Sequence, residues 1–529
     1  MKKISVLDCT LRDGGYCNDW QFGKENTGRI VSLLADSGVD IIECGFLTEK
    51  VIHTDDTTRF NNLDQVEDLI PKSHKKNMFV MMMNCDEFDV SHLPPHSLCS
   101  NTVDGIRVAF HKKDIDYALK ICEQIKEKGY MVFLQPMVSL SYTDEEFLSL
   151  IKKVNRLVPY AFYIVDSFGA MKQRDMIRLF YMVEHNLNKD ICIGFHSHNN
   201  MQLSFSNAQT LVDIQTHHKL IIDSCVYGMG RGAGNLNTEI LIEYLNDITG
   251  SGYNIKPLLT IIDEILDPFY KKATWGFSLP AYLSAIHNTH PNYARYLNEK
   301  YTLTVEGISD IFDMMDDEKR IYYDEHYIED LYLRYLSRGT VQAERKDDFI
   351  KIIKEKKILV IAPGKSVYDE RKEIVEYAKR KDVISISINF DYDYCTVDYI
   401  FVSNQRRFKD IPKKAYKKCI VTSNIPANGI YMQTSYKELL NNHSVVQDNA
   451  GLLVIKFLMI CGVDEIYIAG MDGYSHDVFN NFGDNRLGYI ARTGFLDEMN
   501  KGITGVLNEY AKDIKIHFLT QQRYIRLYE

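Results

Sequence analysis

Two histidines spaced two residues apart, His196 and His198 in GFHSHNN (194–200), share this chain with Asp13 in TLRDGGYCNDW (10–20) and Asn235 in GMGRGAGN (228–235). On a strand, positions i and i+2 project to the same side, so the two imidazoles face one way. One carboxylate, two imidazoles and an amide oxygen form a ligand set for a divalent cation with open positions. Ligand type alone leaves Mn²⁺, Mg²⁺ and Zn²⁺ open; Mn²⁺ is the first expectation. A lone HxH pair is more often packing or surface histidine than a metal site. Two further ligands expected at the same end of one fold reverse those odds. Arg12, beside Asp13, then reads as a donor to a developing enolate oxygen, beyond any structural ion pair.

Residues this far apart share one ion only if the chain closes on itself. Eight short β-rich runs recur through the first 230 residues: 4–11, 39–47, 77–84, 105–111, 130–139, 162–167, 191–198 and 221–230. Each is almost continuously apolar, as expected of parallel strands buried on both faces. Helical patterns at 24–38, 116–129 and 202–217 lie between them, and the alternation predicts a (β/α)8 barrel. The second and third repeats are least clear, because 53–69 mixes loop and helix. His196 and His198 fall at the carboxyl end of the seventh strand, where barrel enzymes carry out their chemistry. Asp13 follows the first strand and Asn235 follows the eighth, its neighbour around the barrel.

A second α/β pattern starts near residue 356, with strands expected at 356–364, 383–390, 398–404, 418–424, 464–473 and 513–520 and a strong helix at 448–462. It reads as an open, doubly wound Rossmann-like sheet of five or six strands. The expected division is a barrel over 1–255, a helical extension and linker over 256–345, and the second α/β domain over 346–529. The charged stretch 337–357 reads as a linker or connecting helix.

With 45% hydrophobic and 25% charged residues and a formal net charge of −10, the composition is that of an ordinary globular protein. The acidic balance argues against a general nucleic-acid or membrane-surface binder. Eleven cysteines without a CxxC pair argue against zinc fingers and disulfide frameworks and for a reducing compartment. No run suggests a signal peptide or a membrane span, so a cytoplasmic protein is expected.

Arg12-Asp13-Gly14, His196-Ser197-His198 and the GAGN loop ending at Asn235, in this order, resemble the DRE-TIM metallolyases, the HMG-CoA lyase-like superfamily. Within it the chain is most similar to 4-hydroxy-2-oxovalerate aldolases, through VDSFGAM (165–171), the GAGN loop and the segment around Tyr282. The Glu-Arg pair usual in the glycine loop of the condensing synthases is missing here, and the lyase cysteine has no obvious match. The resemblance implies a metal held by Asp13, His196 and His198 that chelates a 2-oxoacid, with Arg12 stabilising a pyruvate enolate as an aldehyde is released. It also implies a base three residues after the aspartate. The family has histidine there and this chain has Tyr16, an ordinarily poor base at neutral pH. Tyr282 matches a tyrosine that contributes to enolate protonation. Asn18, Asp19 and Trp20 are expected to shape the pocket or cap the first helix. Barrels of this type commonly pair, so a homodimer acting on a small 2-oxoacid is expected. The same barrel could instead condense or transfer an acyl or pyruvyl unit.

IAPGKS (361–366) lacks the first glycine of a phosphate-binding P-loop, since position 359 is leucine. Together with 448–475 it resembles Rossmann-like domains of bacterial sialyltransferase-like and pterin-diphosphokinase-like proteins. That resemblance implies a nucleotide or sugar-nucleotide site near Gly364, Ser366, Asn404 and Asp472, and a place in surface-polysaccharide or unusual-sugar synthesis. A tight strand-to-helix turn without a ligand is an equal reading of the glycine. A further alternative makes the barrel a scaffold for a glycosyltransferase-like C-terminal domain.

Overall fold

The computed structural model describes residues 4–71, 76–99, 102–300, 303–336, 345–443, 445–475, 481–482 and 495–524. The chain divides into two compact units, Met1–Tyr296 with Met315–Tyr323, and Leu297–Met314 with Asp324–Glu529. The helical stretch that follows residue 255 is thus shared between them.

In the first unit eight parallel strands close on themselves: β1 (Ile4–Asp8), β2 (Ile41–Leu47), β3 (Met78–Asn84), β4 (Gly105–Phe110), β5 (Met131–Pro136), β6 (Ala161–Asp166), β7 (Cys192–Ser197) and β8 (Leu220–Ser224). β1 pairs with β8 on one side and with β2 on the other, which seals the barrel. A two-residue strand, Arg59–Phe60, lies against β2. The expected (β/α)8 architecture is the one observed. The unclear repeats are irregular in fact: among the described residues, the helical turns of the chain after β2 and after β3 are 3₁₀, at Asp64–Leu69, Val90–His92 and His96–Leu98. Helices Lys24–Ser37, Ile115–Glu127, Asp144–Leu157, Gln173–Asn186, Ser204–Asp213 and Thr238–Thr249 cover the remaining connections.

The strands have two cores because alternate residues face opposite sides. Outward residues such as Val6, Ile42, Ile106, Val108, Ile164 and Ile222 join the large core beneath the helices. Inward residues, among them Leu7, Ile41, Phe133, Tyr163 and Ile221, form a smaller core within the barrel. A Cβ on Gly194 would meet the Tyr163 ring at 2.3 Å, so glycine makes room for that ring. Continuing the inward positions toward the carboxyl ends gives Glu43, Arg107, Asp223 and His196. The interior therefore changes from apolar to charged along its axis.

In the second unit seven parallel strands form an open sheet: β9 (Lys357–Ile361), β10 (Val383–Ile388), β11 (Tyr399–Val402), β12 (Cys419–Thr422), β13 (Met432–Thr434), β14 (Glu465–Ala469) and β15 (Lys515–Phe518). Their order is β13-β12-β11-β10-β9-β14-β15, doubly wound, with the direction of winding reversing between β9 and β14. The strand beyond the expected six is β13, too short at three residues to leave a pattern. Helix Ala450–Ile460 is capped by Asn449, whose Oδ1 accepts from Gly451 N and Leu452 N at 3.0 and 3.2 Å. Of the expected linker, residues 337–344 lie outside the described residues, and Lys346–Ile353 is a helix.

Candidate metal centre

One short helix, Thr10–Asp13, turns the chain directly after β1 and brings Asp13 over the mouth of the barrel, with Asp13 N donating to Cys9 O at 2.9 Å. Trp20 fixes this turn: it is buried, its Nε1 donates to Arg12 O at 2.8 Å, and Arg59 stacks 3.6 Å above its ring. Trp20 thus shapes the site rather than capping a helix, while Asn18 Nδ2 donates to Gln21 O. The VDSFGAM turn is closed by Asp166, whose carboxylate accepts from Ala170 N and Met171 N and whose carbonyl accepts from His198 N at 3.2 Å.

Asp13 Oδ2 lies 3.3 Å from His196 Nε2 and 3.7 Å from His198 Nε2, and all three residues are buried. The two imidazole rings are edge to face, with centroids 5.3 Å apart. Asn235 is held beside them by an antiparallel bridge to His198. Its Nδ2 donates to Met229 O and toward Cys225 Sγ, while its Oδ1 is buried with no partner. Asn235 reaches this position through Gly234, at φ +83°, where a Cβ would lie 2.0 Å from Gly228 O.

These residues suit a divalent cation on two grounds. Both Asp13 carboxylate oxygens and Asn235 Oδ1 are buried without a hydrogen-bond donor, although buried oxygens are nearly always satisfied. The Asp13, His196 and His198 donor atoms also lie within 4.8 Å of one another. Cys9, His196 and Asp223 form a second cluster of this kind, but there Asp223 is already bound to Arg107. The first set is the better cage.

Beneath it runs a chain of buried charges that sequence reasoning did not find. Arg12 Nε binds Glu43 Oε2 at 2.8 Å, Glu43 Oε1 accepts from Arg107 Nη1 at 2.8 Å, and Arg107 Nη2 pairs with Asp223. Asp223 Oδ2 in turn lies 3.0 Å from His196 Nδ1. The signal was present as single charged residues inside apolar strands: Glu43 in IIECGFL, Arg107 in GIRVAF and Asp223 in LIIDS. Inward-facing Gln135, with an unpartnered buried Nε2, belongs to the same layer.

The chain of charges orients the site. Asp223 holds His196 by Nδ1, which turns Nε2 toward Asp13. Burial works against a charged His196, yet Asp13, Asp223 and Cys9 together hold its pKa well above the ordinary value. Burial likewise opposes an ionised Asp13, and Arg12 and His196 overcome it, holding the carboxyl well below the usual range. His198 is the opposite case: burial pushes its pKa down to about 3, which keeps its imidazole neutral. Arg12 keeps one donor in reserve, since Nη2 is buried without an acceptor. Replacing Asp223 by Asn should lower divalent-metal affinity by about 10- to 100-fold with the fold retained, as read by titration calorimetry.

Tyr16 stands at the rim, 44% exposed, its ring 4.6 Å from that of Trp20 and 5.5 Å from the Arg231 guanidinium. Tyr282 is 37% exposed on helix Leu279–Ile286, its ring 6.2 Å from Phe277. His290 went unremarked in the sequence. It packs by Phe168, Tyr293 and Tyr323, and burial, with Arg231 next, pushes its pKa down to about 3. The unfolded chain, with histidine near 6.5, takes up this proton first, so stability is full above pH 6.5 and falls as the pH drops toward 3. His290→Gln should therefore remove about 1–2 kcal/mol of the loss between pH 7.5 and pH 5. Tryptophan fluorescence in urea measures it, because both tryptophans, Trp20 and Trp275, lie in the first unit.

In the second unit Gly364, Ser366 and Asp472 converge where the winding reverses. Ser366 N and Oγ both donate to Asp472, at 2.8 and 2.5 Å, and Gly364 N donates to Gly470 O at 2.8 Å. Gly470 has φ +75°, and a Cβ there would lie 2.1 Å from Ala362 O, so this crossing needs glycine. Asn404 instead caps helix Gln405–Asp410 through Arg406 N and Arg407 N. It is the one member of the four that serves a different turn.

Residues 3–261 match the HMGL-like family model. The matched segment spans the whole barrel and contains every proposed metal ligand. A 4-hydroxy-2-oxovalerate aldolase of Geobacillus genomosp. 3 is 26% identical over 275 residues, half of this chain and 77% of that protein. One of Carboxydothermus hydrogenoformans is 27% identical over 275 residues, half of this chain and 78% of its own length. An oxaloacetate decarboxylase of Mycobacterium tuberculosis is 23% identical over 248 residues, 45% of this chain and 69% of that protein. The HMGL-like relatives thus carry the names of enzymes that make or break carbon–carbon bonds. No helix among the described residues is long and apolar enough to cross a membrane.

Proposed function

We propose that the barrel is a divalent-metal-dependent aldolase that cleaves or forms the carbon–carbon bond of a 4-hydroxy-2-oxoacid by way of a pyruvate enolate. The observation that carries this reading is the Asp13 carboxylate, buried, ion-paired to Arg12 at 3.3 Å but with neither oxygen hydrogen-bonded, and facing the Nε2 atoms of both His196 and His198. Asp13, His196 and His198 would hold the ion, with Asn235 Oδ1 as a further ligand. When bound, such an ion acts as a Lewis acid toward the oxygens of a 2-oxoacid. Arg12, anchored on Glu43, has Nη2 free to donate to the oxygen on which negative charge grows. Asp223 fixes His196, and the Glu43–Arg107 pair fixes Asp223 and Arg12 together, so the donors need no reorganisation as charge develops.

Tyr16 occupies the rim position of the proton acceptor for the 4-hydroxyl, and Tyr282 is assigned to protonation of the enolate. In the second unit a nucleotide or sugar-nucleotide site is assigned to the carboxyl edge between β9 and β14. The reversal of strand order there supports this. A place in unusual-sugar synthesis follows from that assignment. The test of the barrel's role is pyruvate release from 4-hydroxy-2-oxovalerate and longer analogues after chelation and return of Mn²⁺, Mg²⁺ or Zn²⁺. Metal-restored pyruvate is expected; no pyruvate with any metal, despite a bound ion, would reject the aldol reading.

A further inference from the structure

Arg231, in the glycine loop four residues before Asn235, is a cation without a counter-ion. Among the described residues no carboxylate lies within 4.0 Å of it, and its Nε is buried with no hydrogen-bond partner. Its fixed contacts are a hydrogen bond from Nη2 to Ser167 O at 3.1 Å and the Tyr16 ring 5.5 Å away. Other arginines nearby are neutralised: Arg12 by Glu43 and Asp13, Arg178 by Asp144, and Arg320 by Asp317. Leaving one half-buried guanidinium unpaired costs free energy that a bound anion would recover.

The position of Arg231 relative to the metal centre indicates which part of a substrate that anion belongs to. Its hydrogen-bond acceptor Ser167 directly follows Asp166, whose carbonyl accepts from His198 N, and its own loop ends at Asn235, which bridges to His198. Ser167, its hydrogen-bond acceptor, lines a cleft of about 480 Å³ within the same unit, with Phe168, Lys172, Arg174, Arg178 and Arg320. The carboxylate and keto group of a 2-oxoacid are already provided for by the metal ligands and Arg12. An anion at Arg231 must therefore come from the other half of the molecule. A guanidinium suits it, since its parallel N–H groups match the oxygens of a carboxylate or phosphate.

We propose that Arg231 is the specificity-determining residue for the aldehyde half of the substrate, and that this half carries its own carboxylate or phosphate. The inference rests on the aldolase reading above. In the cleavage direction the 4-hydroxyl gives up its proton and the C3–C4 bond breaks. Its electron pair passes to C3, leaving pyruvate enolate and an anionic aldehyde that Arg231 retains until release; protonation at C3 completes pyruvate. No oxidant or reductant is needed.

The test offers the Mn²⁺-loaded full chain pyruvate with neutral aldehydes (propanal, glyceraldehyde) and anionic ones (succinic semialdehyde, glyceraldehyde 3-phosphate). Exchange of pyruvate methyl protons in D₂O is measured in parallel. The wild type should favour an anionic aldehyde in kcat/KM by at least about tenfold. Arg231→Gln should erase that preference by raising KM for the anionic aldehyde alone, and Arg231→Lys should restore part of it. Equal use of both aldehyde classes, or equal loss of both in Arg231→Gln, overturns the Arg231 assignment while proton exchange upholds the aldolase reading. Absence of proton exchange in the wild type overturns both.

Discussion

Asp13→Asn protein should fold normally and lose metal-dependent turnover by a factor on the order of 10³ or more. Among the described residues, Asp13 is the only carboxylate that faces both His196 Nε2 and His198 Nε2, and neither of its oxygens accepts a hydrogen bond. An amide of the same shape supplies one neutral oxygen in place of a charge and raises the cost of bringing a dication next to Arg12. The fold should tolerate the change because Arg12 keeps its 2.8 Å contact to Glu43 and His196 keeps Asp223. Turnover, metal titration and the urea midpoint by tryptophan fluorescence separate the two effects. Retained turnover would remove Asp13 from the metal site; an unfolded variant would give it a mainly structural role.

The second large effect is on stability. Arg107→Met should destabilise the first unit by about 3–5 kcal/mol, because it removes the cation that Glu43 and Asp223 share inside the barrel and leaves Glu43 with Arg12 alone and Asp223 with His196 alone. Burial alone would lower the Arg107 pKa, but Asp223 and Glu43 raise it instead, so this side chain is a permanent cation between two anions. The exposed pair Arg29–Glu264 provides the control: Arg29→Met should cost about 1 kcal/mol or less. Both are read as shifts in the urea transition seen by Trp20 and Trp275. Adding Glu43→Gln to Arg107→Met should recover part of the loss. A cost for Arg107→Met no greater than for Arg29→Met would mean that the buried chain of charges does not hold the barrel interior together.

The candidate metal ligands were legible in the sequence for a physical reason. A barrel strand buried on both faces is apolar throughout, so a histidine pair at its end stands out, and the two-residue period fixes their common side. Glu43, Arg107 and Asp223 were not legible, because one charge within an apolar run reads as an interruption until its two partners are known to lie on neighbouring strands. The chain after β2 and β3 was the least clear for a related reason: 3₁₀ turns packed against strands have no 3.6-residue period to recognise. In the second unit the six longer strands were visible, while Met432–Thr434 was too short. Asn404 entered through the resemblance to Rossmann-like domains, and its use as a helix cap was not visible in the sequence. The dual nature of Gly364 was open from sequence, and its contact with Gly470 O explains the glycine without reference to any ligand.

The most direct test of the central claim is the exchange of pyruvate methyl protons with D₂O, followed by NMR on chelated protein and again after Mn²⁺ is returned. It needs no knowledge of the aldehyde and isolates the enolate that Asp13, His196, His198 and Arg12 are assigned to support. The account predicts exchange that is absent after chelation, restored by metal, and lost in Asp13→Asn. Exchange that persists without metal, or none in the metal-loaded wild type, would contradict it.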